Sequence, residues 1–174
     1  MTGVGISQPA DGQGANANVA AAEAVIDAFY SFDKSRLTTA MASAGESIPA
    51  IVFYQGWAEG GNYKVVNRMP CKEETPGEVT CSITVKDDLI GALGIGLNVT
   101  DTFHMSFADG KLAKVTTSSD DPQAFHDAMA WVKKERAELI REPCQGFFAG
   151  GPTPGECVKA MVRGFAEFAA RRGP

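Results

Sequence analysis

The chain has 174 residues, 44% of them hydrophobic and 21% charged, which is one globular domain's worth and excludes a mainly disordered protein. Sixteen Lys and Arg against 21 Asp and Glu leave a formal charge of −5, so the basic face that nucleic acid requires is not expected. No apolar run approaches the roughly 20 residues of a membrane helix.

Residues 1–18 are Gly, Ala, Asn, Gln and Ser with few large apolar side chains, and read as a flexible arm. No Lys or Arg precedes the first apolar stretch at Val19, and Glu23 and Asp27 break it, so a cytoplasmic protein is expected. Ala22, Val25, Ile26, Phe29 and Phe32 recur at helical spacing over residues 20–32. Asp33 looks like the N-cap of a short second helix, Lys34 to Ala42. Pro49 is placed to open a third, Ala50 to about Glu59, ended by Gly60-Gly61.

The period then changes to two. Tyr63 to Cys71 and Val79 to Val85 alternate, with Thr75-Pro76-Gly77 as a turn between them. Tyr63, Val65, Asn67, Met69 and Cys71 share one face, which is read as the buried one, and Lys64 and Arg68 share the other. The apolar run LIGALGIGL within Asp87–Asn98 carries no phosphate-loop pattern and reads as a loop or short helix over an opening. Val99–Phe107 and Lys111–Thr117 form the next strand pair around Ala108-Asp109-Gly110. Val99, Asp101, Phe103, Met105 and Phe107 share one face of it. Asp121-Pro122 reads as an N-cap with proline at the first helical position, opening a helix with Phe125, Ala128, Met129 and Val132 on its apolar stripe. The run KKER is its solvated side. Thr153-Pro154-Gly155-Glu156 reads as a capping box for a last amphipathic helix.

The four cysteines lack CxxC spacing, and two His are too few to complete a zinc site, so no metal is expected. They read as small buried hydrophobes or as two disulfides, Cys71–Cys81 and Cys144–Cys157.

The segments VIDAFYSFDKSRLTTAM and DTFHMSFADGKLAKVTT resemble the opening helix and the F-x-x-G-K strand pair of the nuclear transport factor 2-like superfamily, in its SnoaL-like, ketosteroid isomerase-like branch. The resemblance covers roughly residues 18–119. It implies an α+β fold, with a cone-shaped curved antiparallel sheet wrapped around N-terminal helices. The domain would span residues 19–142, and residues 143–174 would be a C-terminal helical extension packed on it or on a partner subunit. It also implies a blind apolar pocket, acid–base chemistry without a cofactor, a hydrophobic aromatic or cyclic substrate, and a homodimer or higher homo-oligomer.

Asp101 is the first candidate for catalysis, because its carboxylate shares a face with Phe103 and Met105 and desolvation there would raise its pKa. Tyr30, on the edge of the first helix's stripe, is a candidate oxyanion donor. His104 alternates with Thr102 and Ser106 on the polar face, and reaches the pocket only if the register slips by one. Tyr54, Trp57, Tyr63, Asn67, Phe103 and Met105 are the candidate substrate contacts. A non-catalytic binding or dimerisation domain is the alternative. A water-activating hydrolase would need a second carboxylate, with Glu59, Asp87 and Asp88 as the suppliers.

Overall fold

A computed structural model describes residues 11–171. It is an α+β fold: helices, an open five-stranded antiparallel sheet, then further helices. Helix α1 spans Asp11–Phe29 and α2 spans Lys34–Ala40. Residues 11–18, expected as part of an irregular arm, belong to α1, and the Asn18 amide donates to Glu73 Oε1 at 3.1 Å. Residues 1–10 of that arm lie outside the described residues. Asp33 caps α2 as expected, accepting from the backbone N–H groups of Ser35 and Arg36 at 2.9 and 3.0 Å. A 3-10 turn, Gly45–Ser47, leads into α3, Ile48–Gly60, with its proline in the first turn.

The sheet order is β1-β3-β4-β5, with β2 beside β1 on the same edge of β3. The strands are β1 (Lys64–Arg68), β2 (Lys72–Thr75), β3 (Glu78–Lys86), β4 (Val99–Ala108) and β5 (Lys111–Ser119). In β3 and β4 the alternation holds. Val79, Cys81, Ile83 and Val85 are buried, and pair with Met105, Phe103, Asp101 and Val99 on the same inner face. The β4–β5 turn places Asp109 and Gly110 at φ +52° and +70°, the left-handed pair that a two-residue hairpin needs.

The stretch 63–71 departs from its expected form. It is not one strand: β1 stops at Arg68, and Cys71 lies before β2, where it bonds to Cys81. A bulge between Val65 and Asn67 shifts the register against β3. The middle of the face read as buried is therefore open, with Val65 45% and Met69 48% exposed, whereas Cys71 at its end is buried and Tyr63 half-buried. Arg68, expected on the outer face, instead reaches α1, pairing with Glu23 and with Asp27 at 2.5 Å. Glu23 also accepts the Cys71 backbone N–H at 2.6 Å, so one carboxylate ties the helix to the strand and to the disulfide.

After β3 come α4 (Asp88–Leu93), then, beyond the hairpin, α5 (Gln123–Glu135), α6 (Ala137–Ile140) and α7 (Pro154–Arg171). Asp87 caps α4 through the Ile90 N–H at 2.9 Å. Helix α7 packs on α3, α4 and α5, burying Cys157, Val158, Met161 and Phe165. The approach to α3 is close: a Cβ on Gly60 would stand 2.6 Å from the Gly155 Cα. Thr153 directly precedes α7, its carbonyl accepting the Cys157 N–H at 2.9 Å, while its hydroxyl donates to the Pro143 carbonyl at 2.8 Å, closing the loop that the Cys144–Cys157 disulfide also clamps. All four cysteines are thus in disulfides, and none is free. Among the described residues no helix is long and apolar enough to cross a membrane.

Candidate functional site

A cavity of about 510 Å³ lies between α3, the inner face of β5, the start of α5 and the loop before α7. Its volume suits a small ring-bearing molecule. Asp101 stands in its wall at 1% exposure, held there by the alternation of β4. The Tyr30 hydroxyl, from the end of α1, donates to Asp101 Oδ2 at 3.2 Å. The Tyr54 hydroxyl, from α3, stands near enough to the carboxylate to favour its charged form.

Burial pushes the Asp101 carboxyl from 3.8 up to about 6. The phenols of Tyr54 and Tyr30 oppose that rise, and the nearby charges of Asp121 and Asp87 add to it. Burial and the Asp101 charge in turn drive the Tyr30 and Tyr54 hydroxyls well above the usual phenol range, so both remain donors. Tyr63 is likewise raised by burial, then by Asp101. The neighbouring Trp57 indole opposes that rise, since an indole N–H can only donate and so favours an oxygen that accepts.

The structure brings together Asp101, Tyr30, Tyr54, Trp57 and Tyr63. It separates the other expected residues from them. Asn67 is exposed on the bulged edge strand and does not line the cavity. His104 is exposed on the outer face of β4, its Nε2 3.0 Å from the Ser118 hydroxyl, because the register has not slipped. Phe103 and Met105 are fully buried behind the cavity, where Phe103 packs on the rings of Phe29, Tyr30 and Tyr54. They support the wall and do not line the cavity.

Sequence reasoning missed Asp121, Phe147, Phe148 and Lys133, all in the cavity wall. Asp121 looks like a helix cap in the sequence, but α5 has no side-chain cap and Asp121 accepts from the Ser119 hydroxyl at 3.1 Å. Phe147 and Phe148 sit in a Gly-rich loop. They pack on Phe53 and Trp57 of α3, at ring separations of 5.2–6.0 Å. A pair of large apolar residues between loop-forming glycines was the available signal, since such a loop needs a surface to cover. Among the described residues no group of three or more His, Cys, Asp or Glu is placed to hold a metal. Comparison with known proteins finds no family model, curated protein or solved structure that matches this chain.

Proposed function

We propose that this protein is a cofactor-independent acid–base enzyme, a lyase, dehydratase or isomerase acting on an aromatic or cyclic small molecule. One observation carries the reading: a carboxyl pushed up to about 6 stands in the wall of an aromatic cavity, held by the Tyr30 phenol with Tyr54 beside it. A base poised near neutral pH, in reach of a substrate and shielded from water, is the arrangement that proton abstraction from carbon needs. Asp101 takes the proton. Tyr30 holds the carboxylate in place and is a positioning residue. Tyr63 donates to the developing oxyanion, a role the sequence suggests for Tyr30. Asp101 then returns the proton to another carbon, as in an isomerase, or to a leaving hydroxyl, as in a dehydratase. The superfamily resemblance and the cone shape are part of this proposal.

The test is hydrogen exchange at a carbon acid. 2-Tetralone, a cyclic aryl ketone, is incubated with the protein in deuterated buffer and its α-protons are followed by NMR. The wild type is expected to accelerate exchange, and Asp101→Asn to lose about 10²–10⁴-fold of it. Equal rates for the two proteins remove Asp101 as the base.

A second reading, a binding or dimerisation domain without catalysis, is favoured by the open apolar edge of β1, where Val65, Val66 and Met69 are half-exposed. Light scattering tests it, a dimer that Val66→Lys dissociates being the supporting result. The two disulfides oppose the cytoplasmic placement expected from the sequence and favour an oxidising compartment.

A further inference from the structure

The cavity's charge is unbalanced in a way that specifies its ligand. Two carboxylates, Asp101 and Asp121, line it, and Asp87 at the start of α4 adds its field to theirs. Among the described residues no Lys or Arg forms an ion pair with any of the three. Asp101 is satisfied only by phenols, which stabilise a carboxylate without neutralising it. Unpaired charge at such burial is costly, and a cation of the right size relieves it.

The walls have matching chemistry. Tyr54, Trp57, Tyr63, Phe147 and Phe148 surround the space, and aromatic faces attract cations through their quadrupole. One ammonium already uses this property: Lys133, at the rim, stands over the Phe147 ring at 5.5 Å. We infer that the ligand of this cavity is an organic ammonium on an aromatic or cyclic skeleton, its positive charge held between the carboxylates and the aromatic wall. The inference rests on the reading of this cavity as the substrate site, and narrows its substrate class. An anionic ligand would meet Lys133 favourably and the acidic groups unfavourably.

Ionisation of Asp101 sets the pH dependence. The groups that face it and Asp121 are Tyr30 of α1, Tyr54 of α3, Tyr63, Asp87, Asp120, and His126 and Lys133 of α5, with Arg68 of β1 near Tyr30. Burial raises both carboxyls, Asp101 to about 6, so a cation gains as the pH climbs and Asp101 ionises.

The experiment is calorimetric titration with three probes of one shape class: benzyltrimethylammonium, its neutral isostere neopentylbenzene, and phenylacetate. At pH 8 the cation is expected to bind at least about ten-fold more tightly than the neutral ring, with most of that preference gone at pH 5. Asp121→Asn should shrink the preference. Lys133→Met should tighten the cation several-fold, by removing a like charge and freeing the Phe147 face. Equal binding of the cation and the neutral ring overturns the charge inference and leaves the apolar-pocket reading intact. So does tightest binding of phenylacetate with its loss in Lys133→Met. Failure of all three probes to bind overturns both.

Discussion

Strands β4 and β1 look alike in the sequence and have opposite fates. Each alternates apolar and polar residues, and each sets one polar residue on the apolar face: Asp101 in β4, Asn67 in β1. In the structure Asp101 is 1% exposed, whereas Asn67 is open to solvent beside Val66 at 54%. The difference comes from the neighbours. Strand β4 has β3 and β5 on its two sides and the rings of α1 and α3 against its inner face. Strand β1 has a partner on one side, a bulge that interrupts its register, and one long side chain, Arg68, turned to α1. Alternation states which residues share a face. Whether that face is covered depends on layers that no single strand encodes.

The largest expected effect sharpens this contrast in stability. Phe103→Ala empties a site packed by Phe29, Tyr30 and Tyr54, and is expected to cost about 3–5 kcal/mol in chemical denaturation. A loss under about 1 kcal/mol would mean the ring lies on a yielding surface.

Next comes the pH dependence of Asp101. Its native carboxyl holds a proton between 3.8 and about 6 that the unfolded chain has released. Over that window the native state binds more protons, so stability falls as pH rises, by up to about 3 kcal/mol, and stays lower above it. Asp101→Asn lacks this dependence. The variant should therefore gain on the wild type from pH 4 to pH 6.5 and hold that gain at pH 8, as read from paired urea titrations. A gain of the opposite sign would mean a carboxylate stabilised in the fold.

The smallest effect lies on the edge strand. Asn67→Ala and Val66→Ala should each change stability by less than about 0.5 kcal/mol, because little is packed against either. A cost above about 1 kcal/mol in either would show the edge to be covered in solution, and would favour the dimer reading.

The same contrast explains what was legible. The inner face of β3 and β4 could be read because period-two burial holds across the paired strands, and it carried Asp101 with it. Tyr30 and Tyr54 could be placed because helical spacing fixes which turn faces the sheet. The rest depended on contacts distant in sequence. Asp121 carried the local signature of a cap, yet Ser119 and the cavity engage it instead. Lys133 belongs to a charged run and is exposed as that run implies, but its ammonium also stands over Phe147, a contact from a loop distant in sequence. The Phe147-Phe148 loop is tied down by a disulfide whose existence the spacing left open.

The central claim is that Asp101 is a proton-exchanging carboxyl in an aromatic cavity. Its titration tests this most directly, followed by the carboxyl ¹³C shift of labelled aspartate and assigned by its absence in Asp101→Asn. A midpoint near 6 is expected, moving higher in Tyr30→Phe and Tyr54→Phe as each phenol is removed from the carboxylate. A midpoint at or below 4, unmoved by either phenylalanine, would contradict it and leave Asp101 an ordinary solvated carboxylate.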